Sequence, residues 1–334
     1  MISSVPLRYS LKARVTVSSL VIFVISIWSL AFYASHLLRE EMTRRLGEQE
    51  LSTAKIIAAE IDDQLKLRFQ ALDKAAKEVA PFMLDRTALQ KEFNQQTILS
   101  LMFNGGVILL GADGIAIADQ PLPSARTGLS YMADEWNSTA LKEGKSVLGR
   151  PIVGKVLGMP VFAMTTPIRD PHGKVIGALA AVVNLGNQNF LDIIAHNAYG
   201  VTGHILLVSP KDRLIVTASD KHRIMEQYAA RGINPPLDRA LESRGGTYVI
   251  NNPRGVEVLN SSAIIPISGW HVVVSLPTVE AFAPIHDMQL RIIFAALLLS
   301  MLAGVLSCGR QRDATGLSFS AVAVLFAPER RSRY

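Results

Sequence analysis

The chain has 334 residues, of which 49% are hydrophobic and 19% are charged, and its formal net charge is +6. This is more apolar than an ordinary soluble domain, and the length favours about two domains. The basic residues are scattered, without a basic stripe or interleaved aromatic residues, so the charge does not indicate a nucleic-acid partner.

Two uncharged apolar runs near the ends of the chain account for the apolar excess. The first covers residues 15–38 and the second covers residues 292–309. A helix needs about 20 apolar residues to cross the bilayer core. We therefore predict transmembrane helices at residues 15–35 and 291–309. The alternatives are buried core helices and, for the first run, a cleaved signal peptide.

Basic residues flank both runs on the sides that face the chain termini. Segments rich in Lys and Arg stay in the cytoplasm. We therefore expect a cytoplasmic N-terminus (residues 1–14), a periplasmic region (residues 36–290) and a short cytoplasmic tail (residues 310–334), in a two-pass protein of the bacterial inner membrane. The flanking residues are Arg8, Lys12, Arg14, Arg310 and Arg312.

A helical pattern follows the first run. Apolar side chains recur at steps of three and four residues, and no proline occurs between Pro6 and Pro81. This period predicts one continuous helix, which we expect to end near Val79 and to form a stalk over residues 36–80. The stalk either packs on its own domain or carries motion. The recurring residues are Ala54, Ile57, Ile61, Leu65, Phe69 and Leu72.

The region after Gly105 has the pattern of strands joined by turns. Asp113-Gly114 is a strong hairpin signal, and residues 170–173 give another turn signal. We predict a short helix at residues 135–143. We predict strands at residues 107–110, 115–118, 158–168 and 174–185.

The same order of elements then recurs. In both copies an acidic residue closes the second strand, Asp119 in the first copy and Asp220 in the second. Antiparallel strands that follow a leading helix twice predict an α+β protein with two similar modules. The strands predicted for the second copy are residues 204–209, 214–218, 248–251, 257–266 and 270–276.

Short segments of the first copy carry a family resemblance. In their order and spacing they resemble the double Cache (dCache) periplasmic sensor domain, over roughly residues 36–290. The resemblance implies two transmembrane helices that flank two PAS-like modules on a long N-terminal helix. The membrane-distal module would cover residues 81–190 and the membrane-proximal module residues 191–288. The segments are residues 128–131, 141–145, 149–151, 159–161 and 166–177.

The second copy resembles a narrower group. Residues 215–221, 252–259, 269–270 and 277–282 are similar to the sensor regions of membrane-bound diguanylate cyclases. In that group a GGDEF domain follows the second membrane span. The resemblance implies that this chain is the input half of a receptor of the diguanylate-cyclase type.

The resemblance to dCache places a ligand pocket in the membrane-distal module. Aromatic side chains would form its walls, and a few polar groups would orient a small ligand. On the residues alone, Arg126 could equally lie on a surface loop, Asp134 could be a helix N-cap and Trp136 could belong to the core. The matching residues are Arg126, Tyr131, Asp134, Trp136 and Thr165.

The residues around Tyr131 depart from the family members that bind amino acids. Those members usually place an arginine soon after the tyrosine to grip a carboxylate, whereas this chain has Asp134 and Glu135 and no arginine there. The late pocket aspartate of the family would fall near Val182 or Asn184. We therefore hypothesise that Asp134 or Glu135 favours a cationic or amine ligand over a classic α-amino acid.

The sequence shows no catalytic pattern. The seven histidines form no pair at metal-ligand spacing. Gly144-Lys145-Ser146 lacks the earlier glycine of a phosphate-binding loop, because Thr139 stands at that position, and no G-x-S-x-G elbow occurs. We predict that the chain is not an enzyme and has no cofactor or metal. A membrane-anchored periplasmic enzyme would need convergent titratable groups.

The residues after the second run leave no room for an output domain, which suggests a truncated or frame-shifted gene, or else a sensor that signals through a separate protein. Our main prediction is a receptor for a small ligand that lacks its own output domain. The alternatives are a remnant of a chemotaxis or kinase receptor, and a membrane-anchored scaffold that binds a protein. Receptors of this type pair side by side, so we consider a homodimer, although the stalk has no strict heptad.

Overall fold

The structure is a computed structural model. Sequence predictions on the flanking residues Arg8, Arg310 and Arg312 and on the tail, residues 310–334, lie outside the described residues. For residues 11–14, 16 and 195–196 the backbone alone is described. The described residues are 11–121, 126–196, 199–243, 245–252, 254–283 and 288–306.

One long helix, α1 (Leu11–Val79), forms the beginning of the described chain. No proline interrupts it, and an internal proline would remove a backbone hydrogen bond and clash with the preceding turn. Its predicted end near Val79 is confirmed. Of the six recurring apolar residues, Phe69 is half-buried and the other five are at most 5% exposed.

Seven further helices follow α1 in the described part of the chain. Helix α4 begins and ends as predicted, whereas α2, α3 and α6 were not predicted. Helix α2 has a readable start signal, because the carboxylate of Asp85 accepts hydrogen bonds from the backbone N–H groups of Thr87 and Ala88. The helices are α2 (Arg86–Asn94), α3 (Thr97–Met102), α4 (Glu135–Glu143), α5 (Ile193–His196), α6 (Pro235–Glu242), α7 (Thr278–Ala281) and α8 (Met288–Leu306).

The first sheet, named the distal sheet after the predicted membrane-distal module, lies between residues 107 and 184. It is antiparallel, with the strand order β2-β1-β6-β5-β3, and β4 also pairs with β5. Its first hairpin turns at Asp113-Gly114, where Gly114 has a φ of +76° that favours glycine. The carboxylate of Asp113 accepts a hydrogen bond from the N–H of Ile115. The strands are β1 (Val107–Gly111), β2 (Ala116–Gln120), β3 (Val147–Leu148), β4 (Ile152–Val153), β5 (Pro160–Arg169) and β6 (Val175–Asn184).

The proximal sheet is also antiparallel and has the order β8-β7-β11-β10-β9. This order repeats that of the distal sheet: a hairpin at one edge, then the last strand of the module, then the strand before it. The repeat of two similar α+β modules is therefore present in the topology. The strands are β7 (His204–Ser209), β8 (Leu214–Ala218), β9 (Gly245–Asn251), β10 (Glu257–Ile264) and β11 (His271–Pro277).

Each sheet buries both of its faces. One face of both sheets packs against α1 in a shared core, where the rings of Phe162 and Trp270 meet edge to face at 5.3 Å between centroids. The opposite face of the distal sheet is covered by α4, and that of the proximal sheet is covered by α6. The second faces hold the cavities described below.

The described chain divides into two compact units. Arg45–Ala281 is one unit, and the described residues before position 45 and after position 281 form the other. Within the described ranges two helices are long and apolar enough to cross a membrane, the N-terminal part of Val17–Phe82 and Met288–Leu306, with mean hydropathies of 2.1 and 2.0. Of the most apolar 18-residue stretch of each helix, 0% and 6% is buried by other parts of the protein. A core helix of a soluble protein would be mostly buried.

Candidate ligand-binding site

A cavity of about 60 Å³ lies on the face of the distal sheet that α4 covers. Strands β1, β5 and β6 supply its apolar floor, α4 supplies one wall, and the loop after β4 supplies the other. A cavity needs about 10–15 Å³ to hold one water molecule, so this one has room for roughly five water-sized groups. The lining residues are Ile108, Arg126, Tyr131, Asp134, Trp136, Asn137, Ile152, Gly154, Lys155, Val156, Leu157, Val161, Ala163, Ala180 and Val182.

Arg126 is buried beneath the cavity rather than placed on a surface loop. Its side chain is 3% exposed, and that of Asp119 is 1% exposed. The guanidinium grips the carboxylate in a bidentate pair, with Nη2 2.6 Å from Oδ1 and Nε 3.0 Å from Oδ2. A further bond runs from Nη1 of Arg126 to the carbonyl of Gly105, at 2.9 Å. The charge of Arg126 is therefore already compensated inside the protein.

The close approach of Arg126 to the backbone depends on a glycine. A Cβ atom at position 106 would lie 2.5 Å from Nη2 of Arg126. Gly106 also has a φ of +83°, which L side chains rarely adopt. The glycine between α3 and β1 therefore leaves the space that the guanidinium fills.

Tyr131, Asp134 and Lys155 form the polar side of the cavity. The ammonium of Lys155 lies 3.4 Å from a carboxylate oxygen of Asp134 and 5.5 Å from the centroid of the Tyr131 ring. Burial raises the pKa of the Tyr131 phenol, while the charge of Arg126 lowers it. The phenol is therefore neutral at ordinary pH, and the charges on this side of the cavity are those of Asp134 and Lys155.

Asp134 stands at the N-cap position of α4, but its side chain does not cap the helix. Its backbone carbonyl accepts bonds from the N–H groups of Asn137 and Ser138, whereas the carboxylate makes no capping hydrogen bond. The carboxylate faces Lys155 instead. Asp134 is therefore the N-cap residue of α4 by position, as one alternative predicted, but its side chain does not cap the helix.

Trp136 and Asn137 line the cavity from α4, and Thr165 lies behind them. Thr165 is fully buried on β5, and its hydroxyl donates a 2.8 Å bond to Oδ1 of Asn137. Asn137 in turn donates to the carbonyl of Tyr131 at 3.3 Å. Trp136 is 6% exposed and lines the cavity as well. Its indole packs closely on the backbone of Gly149, where a Cβ atom would lie 2.6 Å from the ring.

The structure thus brings Arg126, Tyr131, Asp134 and Trp136 to one cavity, and it places Thr165 one hydrogen bond away from it. Val182 lines the cavity floor, whereas Asn184 does not line it. Glu135 also lies outside the cavity: its side chain is 76% exposed, 3.9 Å from Lys211. The hypothesis of an acidic site for an amine therefore depends on Asp134 alone.

Three polar contributors were missed at the sequence level. Asn137 carries no signal beyond its place one residue after Trp136. Lys155 comes from a loop between two glycines, and nothing in the sequence shows that this loop folds over Tyr131. Asp119 was noted only as the acid that closes the second strand, and its pairing with Arg126 became visible only in three dimensions.

A wider cleft of about 590 Å³ lies between the distal and proximal sheets, lined by Trp136 and Trp270 among others. Its charged lining residues are Glu135, Arg150, Lys211 and Asp212, and the pair that face each other, Glu135 and Lys211, are 76% and 84% exposed. Charges so well solvated contribute little binding energy, so the smaller cavity with its largely apolar lining is the better candidate. Among the described residues, no group of three or more His, Cys, Asp or Glu side chains is placed to hold a metal ion.

Solved structures with the same fold include sensor domains of bacterial chemoreceptors. The ligand-binding domain of CtaA from Pseudomonas fluorescens, in complex with L-alanine, matches with a TM-score of 0.56 and 20% identity, over 71% of this chain and 99% of that one. The periplasmic sensory domain of Tlp1 from Campylobacter jejuni matches with a TM-score of 0.58 and 14% identity, over 73% and 99%. PctB from Pseudomonas aeruginosa PAO1, with L-Gln, gives 0.57 and 20%, over 75% and 98%. At these identities the likeness shows the fold.

A curated relative is also a chemoreceptor. The methyl-accepting chemotaxis protein McpA of Pseudomonas putida is 19% identical over 302 residues, which cover 90% of this chain. The chain spans 45% of the length of that protein. The chemotactic activity of the whole relative is therefore not carried over with the match.

The family model of the Cache domain, dCache_1, matches residues 35–285. These residues include α1 beyond its apolar part, both sheets and the cavity described above. With most of its length matched by this model, and with the fold of periplasmic sensor domains, the chain belongs to the dCache_1 family of Cache domains.

Proposed function

We propose that the chain is the sensing region of a transmembrane receptor of the chemoreceptor type, and that its distal cavity binds a small zwitterion such as an α-amino acid. Arg126, Tyr131, Asp134 and Trp136 would line the bound ligand. Thr165 would hold Asn137 in place behind them. In this proposal the distal module, residues 81–190, carries the ligand site.

The observation that carries the proposal is the opposed pair of charges at the cavity. The carboxylate of Asp134 and the ammonium of Lys155 face each other at 3.4 Å beside the Tyr131 ring. A zwitterion can exchange this one ion pair for two, because its ammonium would meet Asp134 and the ring while its carboxylate met Lys155. The apolar floor would receive a short side chain.

The neighbours support this ligand class. The sensor domains of CtaA and PctB are described in complexes with L-alanine and L-Gln. The family's usual arginine after the tyrosine is absent here. We propose that Lys155, from the opposite wall, takes its place as the cation for the ligand carboxylate.

A cationic amine remains the second candidate, since Asp134 lines the cavity. An amine would have to displace Lys155 from Asp134, and the ammonium of Lys155, whose side chain is 50% exposed, would lose this partner without gaining another. The zwitterion avoids this loss. The two ligand classes therefore differ in their dependence on Lys155.

For the surroundings of the sensor, we propose two membrane spans with the region between them in the periplasm. The two apolar helices and the relatives' periplasmic sensory domains support this arrangement. We also propose a chemoreceptor output in preference to a diguanylate cyclase, because the similar proteins named above are chemoreceptors. A cyclase output and a protein-binding scaffold are the runner-up interpretations.

Isothermal titration calorimetry of the full chain in nanodiscs tests the ligand class. The ligands are L-alanine, L-glutamine, ethylamine and propionate, and the variants are Asp134→Asn and Lys155→Gln. We expect at least one amino acid to bind, with affinity reduced about tenfold or more in each variant, since charge-assisted bonds are lost on either side. Glu135→Gln is the matched control, because it removes the neighbouring acid that points away from the cavity.

An amine sensor would respond differently. Ethylamine would bind, Asp134→Asn would abolish its binding, and Lys155→Gln would strengthen it by removing the competing cation. Binding of none of the four ligands, with the fold intact, would contradict both candidates and favour the scaffold.

A further inference from the structure

A second enclosed space occurs in the proximal module, at the place that corresponds to the distal cavity. It has a volume of about 20 Å³ and lies between β9, β10, β11 and helix α6. The distal cavity likewise lies between its sheet and helix α4. Because the two sheets have the same strand order, β11 corresponds to β6 and β10 corresponds to β5. The two modules therefore repeat the cavity as well as the fold.

Polar side chains converge on this proximal cavity from a sheet face that is otherwise apolar. Along β10, Asn260 and Ser262 share a face with Val258, which belongs to the core under α6. On the neighbouring strand, His271 shares a face with Val273. Tyr248 sits directly opposite Asn260 on β9. A face used only for packing against α6 would carry apolar residues at these positions.

Two of these polar groups have no internal partner. The Oδ1 atom of Asn260 and the hydroxyl of Ser262 are buried and make no hydrogen bond within the described part of the chain. Both atoms are shielded from bulk water, and the Ser262 residue as a whole is 5% exposed. Buried polar groups are almost always hydrogen-bonded, which indicates that a further molecule completes this cluster.

We propose that the proximal cavity is a second ligand site, which takes a small uncharged molecule with both a hydrogen-bond donor and an acceptor, such as a primary amide. The NH₂ group of an amide would donate to Oδ1 of Asn260. Its carbonyl would accept from Ser262 and from the His271 ring. Each unpartnered group of the cavity would then be satisfied.

The charges around the cavity favour an uncharged ligand. No Asp, Glu, Lys or Arg is among the described residues that line it, so an ion would enter without a counter-charge from these residues. Burial lowers the pKa of His271, so its imidazole is neutral near pH 7 and offers one donor and one acceptor.

The size of the cavity limits the ligand to a few heavy atoms. About 20 Å³ holds one or two water-sized groups without rearrangement. Formamide, with three heavy atoms, is the smallest primary amide and is the first probe, and acetamide is the next larger one. Both enter only if the lining side chains move slightly apart. At the highest ligand efficiencies three heavy atoms give a dissociation constant of about 0.5 mM and four give some tens of micromolar, so the titration should extend to about 50 mM.

The test is an NMR titration of the full chain in nanodiscs, with ¹⁵N-labelled histidine and with formamide or acetamide as the probe. His271 is assigned by the resonances that are missing in His271→Gln. We expect saturable shifts of the His271 ring nitrogens, abolished in Ser262→Val and unchanged in Asp134→Asn, which alters only the distal cavity. Sodium acetate is the charged control and should cause no saturable shift.

Other results would overturn the proposal. Shifts that stay linear up to the highest concentration would mean that the cavity holds only water. Saturable shifts that persist in Ser262→Val would place the amide elsewhere. Asn260→Leu serves as the second variant if Ser262→Val does not fold, with the thermal midpoint as the check of folding in each case.

Discussion

The ion pair between Arg126 and Asp119 sets the electrostatics of the distal cavity at the scale of single residues. Both side chains are nearly inaccessible to water, so each charge depends on the other for its solvation. A pair of this kind contributes little net stability compared with apolar residues, whereas removal of one partner leaves a buried charge. The pair therefore adds a polar group to the cavity lining without adding net charge.

The stability losses of the two single substitutions of this pair should not add up in the double substitution. Arg126→Leu or Asp119→Leu alone should destabilise the fold by about 3–5 kcal/mol, because each leaves an uncompensated buried charge. The double variant should lose less than either single variant. Chemical denaturation of the four proteins measures this, and additive losses would show that the pair does not act as a unit.

Glu50 is a second residue with unusual electrostatics. It is fully buried on α1, where its Oε2 accepts a bond from Ser261 at 3.0 Å and its Oε1 has no partner among the described residues. Burial raises the pKa of this carboxyl from 4.5 to about 8. It lies twelve positions beyond the uncharged run, about 18 Å further along a helix.

This shift predicts that stability falls as the pH rises. The folded state holds a proton on Glu50 that the unfolded chain releases between pH 4.5 and about 8, so the stabilising contribution is fully present below 4.5 and is lost as the pH passes through 8. The loss should be on the order of a few kcal/mol. Glu50→Gln should remove most of this dependence, as measured by thermal midpoints at pH 5 and pH 8. Glu60→Gln, an exposed acid on the same helix, is the control and should keep the wild-type slope.

At the scale of elements, the sequence predicted the long and strongly periodic parts best. Helix α4, strands β7 and β8 and the C-terminal end of α1 agree with their expected bounds. The helices show a regular period, whereas the two strands are short apolar runs bounded by turn residues. Strands β3 and β4 have two residues each, which is too short for any period to appear. Helix α6 was not predicted, although Asn234 caps it and Pro235 starts it; a Pro-Pro pair is compatible with a turn as well as with the first helical positions.

The site could be predicted only in part, because some of its residues come together only through the pairing of strands. Tyr131, Asp134 and Trp136 lie close together in sequence, so a family pattern locates them. Lys155 and Val182 reach the cavity through the pairing of β4 with β5 and of β5 with β6. Such long-range contacts follow from strand register, which single-sequence patterns do not specify well.

The seating of α4 on the distal sheet gives a prediction at this scale. Thr165→Val removes the hydroxyl that donates to Asn137 and leaves the buried Oδ1 atom of Asn137 without this donor. We expect a loss of about 1–3 kcal/mol and a weaker affinity for the distal ligand, because Asn137 also lines the cavity. Thr166→Val is the matched control on the same strand, since its hydroxyl bonds to Ser146, away from the cavity. Equal effects of the two variants on affinity would contradict the positioning role of Thr165.

At the scale of the whole molecule, residues 45–281 contain two modules with one shared core. The side chains of Ile61 and Leu65 on α1, Phe162 on β5 and Trp270 before β11 belong to a single buried cluster. A cluster that crosses both modules makes their stabilities interdependent. The repeat of strand order was predictable from the order of elements, but this shared core was not.

Phe162→Ala should therefore affect both modules. Removal of a fully buried aromatic side chain costs about 3–5 kcal/mol, and the Trp270 ring that packs on Phe162 would lose its partner. We expect one unfolding transition at a lower temperature, seen equally by tryptophan fluorescence and by circular dichroism. Two separated transitions, with only the distal one shifted, would show that the modules unfold independently.

The family assignment also had a limit at this scale. The dCache resemblance was confirmed by the family model, whereas the narrower similarity to diguanylate cyclases found no support among the chemoreceptor sensor domains of the same fold. Its segments lie in the proximal sheet and its loops, which carry the general fold. Such segments therefore do not distinguish one output from another.

The most direct test of the central claim is thermal unfolding of the full chain in nanodiscs against all common amino acids. A ligand at about 100 times its dissociation constant stabilises the fold by about 2.7 kcal/mol. We predict that at least one amino acid raises the midpoint and that Glu135→Gln keeps the full rise. Asp134→Asn and Lys155→Gln should each lower the stabilisation to about 1.4 kcal/mol or less at the same ligand concentration, since binding weakens about tenfold or more. An undiminished rise in both cavity variants, or no rise with any amino acid, would contradict the distal cavity as an amino-acid site.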